Sequence, residues 1–503
     1  MPKYFLFVAF FILYMAISAQ TFTDIQAGLT GVSESANSWV DYNEDGVPDI
    51  FVTGDFYSGK THGVQSKLYK NLRNGRFAQV STPIINVFRG DMDWADYDLD
   101  GIEDLFIIGE TSTGAKIARL YKGNRTTNFQ HIALKIPGVR DGSVEWGDYD
   151  GDGDQDLLIS GDTDQGAITK IYRNDRNNRF TEISTGFPQV TFSVARFADF
   201  NQDGKLDVLV SGNEKSGLVV TELFRYNEGS FSRVDLGLVG LKLNDAAWGD
   251  YDNDGDLDLV INGETQQGKV ETQLYKNQNN QYFMPAFPGF MNVRSGSVDW
   301  GDMDHDGDLD LLLTGESALG PVSKVYRNDR NEQFTDLNAD IIGLYMSDGH
   351  WGDYDNDGDL DVLVSGMSKN FAFISRVYRN DPVKTDTIRN MDDEDIWNTT
   401  VINDERPVKV YFYVFASCWC DLDGDGINEY NVFFSPIKRQ KVQYELQTHF
   451  NGVIVDKYPM WYDFDQGKMI TNGFELEQKA IESKAIAIKE YQSKGFIVHD
   501  LIW

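Results

Sequence analysis

Residues 248 to 258 read Trp-Gly-Asp-Tyr-Asp-Asn-Asp-Gly-Asp-Leu-Asp, or WGDYDNDGDLD, with five aspartates in the nine positions from Asp250 to Asp258. Like charges at that density repel each other unless a cation sits among them. Carboxylates at alternate positions, bent round a glycine, bring hard oxygen donors to one point. That donor set suits Ca²⁺ better than Zn²⁺ or Mg²⁺.

The stretch recurs as WVDYNEDGVPD, WADYDLDGIED, WGDYDGDGDQD, FADFNQDGKLD, WGDYDNDGDLD, WGDMDHDGDLD and WGDYDNDGDLD. The first aspartate of each copy is residue 41, 96, 148, 199, 250, 302 and 353, a step of 51 to 55 residues. Each copy has the same surroundings. A short strand ends in Trp or Phe, the acidic loop follows, then an apolar strand such as DLLLTGE, a turn, a strand such as SKVYRND, another turn, and a last strand such as QFTDL. Four short strands in about 50 residues make one antiparallel sheet the size of a propeller blade. The seventh copy stops at Val377 to Pro382 without a fourth strand. FTDI at Phe22 to Ile25 matches FTDL at Phe334 to Leu337. The expectation is that the N-terminal strand completes the last sheet and closes a ring, which removes exposed edges.

The shared pattern is D-x-[DN]-x-D-G-x-x-D. The candidate metal ligands are Asp41, Asn43, Asp45 and Asp49 in repeat 1; Asp96, Asp98, Asp100 and Asp104 in repeat 2; Asp148, Asp150, Asp152 and Asp156 in repeat 3; Asp199, Asn201, Asp203 and Asp207 in repeat 4. They continue with Asp250, Asp252, Asp254 and Asp258 in repeat 5; Asp302, Asp304, Asp306 and Asp310 in repeat 6; and Asp353, Asp355, Asp357 and Asp361 in repeat 7. Position 7 of the loop ranges from Val47 to Lys205 to Asp256, as expected where only the backbone carbonyl is a ligand. Position 12 is Val, Ile or Leu in every copy, where an EF-hand requires a bidentate Glu. Asn43 and Asn201 leave their loops one charge short. The loops together carry 26 side-chain carboxylates, and seven Ca²⁺ would offset 14 of those charges, so calcium binding and folding should be coupled.

These seven loops, with the DLLLTG-like strands that follow them, resemble the FG-GAP or VCBS repeats that build the β-propeller of integrin α-subunit heads. The resemblance covers residues 22 to 381. It implies a seven-bladed propeller, calcium between the first and second strands of a blade, and ligands met on the opposite face.

Composition agrees. The chain has 503 residues, is 41% hydrophobic and has a formal net charge of -34, which argues against nucleic acid or anionic membrane as partner. Residues 1 to 19 (MPKYFLFVAFFILYMAISA) read as a secretory signal peptide: a basic start, a short apolar run and small residues before the cut. No membrane span is expected after cleavage, and the mature chain is expected outside the cell or at its surface, meeting an extracellular protein or glycan. Residues 20 to 382 are then the propeller, 383 to 406 a polar linker, and 407 to 503 a small α+β domain. That domain holds a further acidic loop, with Asp421, Asp423, Asp425 and Glu429 as candidate calcium ligands, a helix near 474 to 495 and a closing strand. The only cysteines, Cys418 and Cys420, are too close for an easy bridge.

The residue before each repeated aromatic varies and points away from it on a strand. This marks Asp93, Glu145, Arg196, Asp299 and His350 as candidate ligand-binding residues lining a central channel. GDFYSGKT at 54 to 61 fits a phosphate-loop pattern, but its sister turns read GETSTGAK and GETQQGKV, so it is a hairpin turn. Arg89-Gly90-Asp91 lies in a connection, not at a projecting tip. No catalytic residues are assigned. The alternative reading is a polysaccharide lyase or glycosidase built on the same propeller, for which Arg140, Arg294 and His350 are the nearest polar candidates.

Overall fold

The computed structural model describes residues 20–57 and 62–382 and, farther on, the backbone of six strands: Tyr411–Phe412, Val414–Cys420, Glu429–Phe434, Lys438–Arg439, Met469–Ile470 and Ile497–Asp500. The expected signal peptide, linker, residues 421 to 425 and the helix near 474 to 495 lie outside the described residues, as does the side chain of Glu429. The chain divides into two units, Met1–Thr387 and Ile388–Trp503.

All described elements are β-strands. In the first unit the alternation of buried and half-buried residues is that of strands packed on both faces, and the second strand of each repeat is buried almost throughout. Repeats 1 to 5 each form a four-stranded antiparallel sheet in chain order. In repeat 5 the strands are Ala246–Gly249, Asp258–Glu264, Val270–Gln278 and Tyr282–Ala286. Repeats 6 and 7 form two such units, joined into one eight-stranded sheet by the single pair Val322↔Leu344. These four-stranded sheets resemble propeller blades.

The strand Gln20–Asp24 pairs antiparallel with Phe373–Pro382 of repeat 7. Its register repeats that of the fourth strand of repeat 6. Phe22 lies opposite Asn380 as Phe334 lies opposite Asn328, and Asp24 opposite Tyr378 as Asp336 opposite Tyr326. The matching FTD triplets therefore fill the same place in adjacent sheets.

The core lies between sheets. Each hydrophobic cluster joins neighbouring repeats, and one joins the last to the first: Val32, Ile50, Val52 and Tyr69 pack with Tyr354, Leu363 and Val377. The repeated Trp-Gly pair shows why. A Cβ on Gly249 would lie 2.8 Å from the Trp300 ring, and one on Gly352 2.5 Å from the Trp39 ring, so each glycine makes room for the next repeat's aromatic.

In the second unit, Val414–Cys420 and Glu429–Phe434 pair antiparallel on either side of the further acidic loop. Ile497–Asp500, in the expected closing strand, pairs parallel to Glu429–Phe434, a pairing foreign to the antiparallel repeats. No described helix is long and apolar enough to cross a membrane.

Candidate functional site

Every acidic loop connects the first and second strands of its repeat, and its ninth residue is the first residue of the second strand. The backbone is left-handed at the fourth position, as at Asn253 (φ 59°), and at the glycine in the sixth, as at Gly255 (φ 94°). The first aspartate holds this bend. Asp250 accepts the amides of Asp254 and Gly255 at 3.0 and 2.9 Å, and Asp41, Asp96, Asp148, Asp199, Asp302 and Asp353 do the same in their loops. The ninth residue is fully buried. One oxygen of Asp258 accepts the amide of Asn277 at 2.7 Å, and Asp49, Asp104, Asp156, Asp207, Asp310 and Asp361 make the equivalent bond. Burial pushes these carboxyls up, to about 7 in Asp49, Asp104 and Asp207 and to about 8 in Asp156, Asp258, Asp310 and Asp361.

Five loops gather three carboxylates whose oxygens lie within 4.8 Å of one another: Asp96, Asp98 and Asp104; Asp148, Asp150 and Asp156; Asp250, Asp252 and Asp254; Asp302, Asp304 and Asp306; Asp353, Asp355 and Asp357. The same five loops contain buried carboxylate oxygens without a hydrogen-bond donor, on Asp104, Asp150, Asp156, Asp252, Asp304 and Asp355. Buried, unpartnered, hard anionic donors converging on one point fit a divalent cation. Loops 1 and 4 differ. Their asparagine amides close on the ninth-position carboxylates, Asn43 on Asp49 at 2.5 Å and Asn201 on Asp207 at 2.9 Å. Where the seventh residue is Asp154 or Asp308, its carboxylate binds Arg176 or Arg330 of the turn between third and fourth strands, which leaves the backbone carbonyl as its donor to the loop.

The loops are also tied to their neighbours by a residue that the sequence reading passed over. An asparagine at or near the end of the third strand sends its side-chain amide to the preceding repeat: Asn174 to the Tyr97 carbonyl at 2.8 Å, Asn277 to Phe200 at 3.0 Å, Asn328 to Tyr251 at 2.6 Å. Its recurrence in YKN and YRN was the available signal.

A cavity of 850 Å³ is lined by the first strands and preceding connections of the seven repeats, and by Asp41, Glu44, Gly101 and Glu103 of the first two acidic loops. Asp93, Glu145, Arg196 and His350 line it as expected, and Asp299 stands behind His350 at 3.6 Å. These groups are not free. Asp93 accepts the Trp146 amide at 2.8 Å, Glu145 that of Phe197 at 2.7 Å and Asp299 that of Trp351 at 2.9 Å, so each carboxylate laces its repeat to the next. Arg196 binds Asp245 at 2.8 Å, and His350 lies 3.3 Å from Asp348. The side chains are half-covered because the cavity is open, yet desolvation dominates: it raises Asp93, and raises Glu145 to about 8 and Asp91 to about 6. His350 is raised well above its ordinary value, since the carboxylates of Asp348 and Asp299 outweigh its burial.

Arg140 and Arg294 are likewise engaged, in ion pairs with Glu110 and with Glu264 and Glu316. Arg89 holds Asp141 at 2.5 Å, and Asp91 accepts the Val144 amide at 3.0 Å, so Arg89-Gly90-Asp91 is part of the wall. Tyr57 pairs with His62 across the GDFYSGKT turn, a hairpin between strands.

Fold and loops together define a class: repeat proteins of four-stranded β units, each carrying an acidic loop, five of which gather carboxylates that could hold a cation. The chain belongs to the FG-GAP-like repeat family, which matches residues 41–107, 96–159, 148–210, 199–261 and 250–313. No curated protein sequence matches it. Similar solved structures include the V. cholerae biofilm matrix protein Bap1 (11% identity, 71% of this chain and 88% of that one, TM-score 0.39). Others are a mutant of AofleA from Arthrobotrys oligospora (9%, 63% and 89%, TM-score 0.41) and a mutant of the Aleuria aurantia lectin with α-methyl-L-fucoside (7%, 61% and 96%, TM-score 0.37). At these values none of them bears on what this chain binds.

Proposed function

We propose that residues 20 to 382 form a secreted, seven-bladed β-propeller whose acidic loops bind calcium and whose central cavity receives an extracellular protein or glycan from the face opposite the loops. Calcium, when bound, neutralises the loop carboxylates and fixes the turn between first and second strands. The observation that carries the binding reading is the contrast between the acidic loops and the position before the repeated aromatic. The loops present nearly the same residues every time. The cavity wall combines repeated residues, such as Asp91, Asp245 and Asp348, with a position before the repeated aromatic that differs from repeat to repeat: Asp93, Glu145, Arg196, His350. A repeated residue serves the fold, and a varied one is free to specify a ligand.

The test is a glycan array together with a pull-down on the mature chain, repeated with Glu145→Gln and His350→Ala. The expected result is a ligand retained by the parent and lost by folded variants. A ligand bound equally by both variants would move the site elsewhere.

A second reading is a carbohydrate-active enzyme. What favours it is that Glu145, Asp348 and His350 line one open cavity, with burial raising Glu145 and His350 holding Asp348 low. Turnover of a polysaccharide, abolished in Glu145→Gln, would establish it; binding without turnover would remove it.

A further inference from the structure

Repeat 4 carries Arg225 near the end of its third strand with no aspartate two residues on, and its loop is closed by Asn201; in each other repeat one cationic residue at that place faces the acidic loop of its own sheet. It is Lys70, Lys122 and Lys276 in repeats 1, 2 and 5, and Arg173, Arg327 and Arg379 in repeats 3, 6 and 7. The two types behave differently. Lys122 bridges the third and fifth loop positions, contacting Asp98 and lying 2.8 Å from Asp100. Lys276 does the same with Asp252 and, at 3.2 Å, Asp254. Lys70 reaches Asp45 at 3.0 Å and the side-chain amide oxygen of Asn43 at 3.4 Å. In each, the ammonium sits on the carboxylates that would ligate a metal.

The arginines are held off. Two residues beyond each is an aspartate that captures the guanidinium: Arg173 with Asp175 at 2.8 Å, Arg327 with Asp329 at 2.6 Å, Arg379 with Asp381 at 2.9 Å. No lysine repeat has an aspartate there; Leu72, Asn124 and Gln278 take its place. A planar fork satisfied by a neighbouring carboxylate has no reason to enter the loop, whereas an unclaimed ammonium on a flexible stem does.

We infer that the loops fall into two affinity classes set by this residue. Loops 3, 6 and 7 bind calcium tightly. Loops 2 and 5 bind it weakly, because Lys122 or Lys276 already neutralises part of the site and must be displaced or tolerated next to a divalent ion. Loops 1 and 4, closed by Asn43 and Asn201, lie outside both classes, and loop 1 carries the lysine in addition. The inference rests on the calcium reading of the loops and goes beyond it, since that reading alone makes loops 2, 3, 5, 6 and 7 equivalent: each has four acidic ligands. A unit charge within a few ångströms of a divalent cation, partly screened, weakens binding by about tenfold. The consequence is a propeller that keeps three loops filled and lets two respond to the external calcium level.

The experiment is calorimetric titration of the calcium-stripped mature chain with calcium chloride, for the parent, Lys122→Gln, Lys276→Gln and the pair. The parent should show three tight sites and two about tenfold weaker. Each lysine variant should move one site into the tight class. The converse double variant, Arg327→Lys with Asp329→Asn, should move one site out of it. Melting temperature without calcium checks that each variant is folded. Five equal sites, unmoved by the lysine variants, would overturn the assignment and leave the calcium reading intact. No calcium binding at all would remove both.

Discussion

The side-chain amide of Asn71 donates to the backbone carbonyl of Tyr354 across 2.7 Å, although the two residues are 283 apart in the chain. It is the bond that Asn174, Asn277, Asn328 and Asn380 make to the repeat before them, here made by the first repeat to the last. The backbone amide of Asn71 is also given to the Asp49 carboxylate, at 2.6 Å. Asn71→Ala leaves a buried carbonyl unsatisfied and should cost about 2 kcal/mol. Urea denaturation should show a lower midpoint. An unchanged midpoint would mean that this contact does not help to close the array.

The N-terminal strand makes the second closure. Phe22 is 7% exposed, and its ring lies 6.1 Å from that of Trp351. Phe22→Ala should cost about 3 kcal/mol through the cavity it leaves. Removal of residues 20 to 25 should do more, since it bares the edge of Phe373–Pro382. Thermal melts and light scattering should show a lower transition and concentration-dependent association; a monomeric, equally stable truncation would contradict the clasp.

Arg196 answers the negative charge in the cavity wall. It binds Asp245 and is raised above its ordinary value by Asp245, Glu145 and Asp91 in spite of burial. Arg196→Met leaves those carboxylates unanswered and should cost about 3 kcal/mol or more. Its melting transition should recover in part at lower pH, where the carboxylates take up protons. A variant as stable as the parent at neutral pH would show that Arg196 is not needed there.

The ninth-position aspartates give the metal-free protein a definite pH dependence. Their folded values, about 7 to 8, lie above the unfolded value of about 3.9. Their contribution is complete below the unfolded value and is lost as pH rises through the folded one. Calcium-free melting temperature should therefore fall between pH about 4 and about 8, and the increment gained on adding calcium should grow over the same window. A calcium-free protein that becomes more stable toward pH 8 would reverse the sign and contradict the account.

The repeat, its four strands and the clasp were legible because side chains carry them: the acidic loop, the DLLLTG-like strand, the FTD triplet. The lacing of the cavity was less so. Asp93, Glu145 and Asp299 were marked as facing a channel, but a sequence does not show that their acceptors would meet backbone amides of the next sheet. Least legible was a relay of backbone hydrogen bonds running from repeat to repeat, Arg89 to Glu34 at 3.0 Å, Asp141 to Arg89 at 2.9 Å, Phe192 to Asp141 at 2.7 Å and Leu243 to Phe192 at 3.0 Å. All five residues are left-handed, with φ between 45° and 52°. They share no side-chain chemistry, because only backbone groups take part, so no pattern could announce them.

The claim that the loops are calcium sites joined to folding is tested most directly by the melting temperature of the mature chain with about 1 mM calcium and with chelator. Three loops with Kd of about 10⁻⁴ M and two about tenfold weaker would together contribute about 5 kcal/mol at that concentration. Chelation should lower the transition by about 7 °C, and readdition should restore it. Superimposable melts with and without calcium would contradict it.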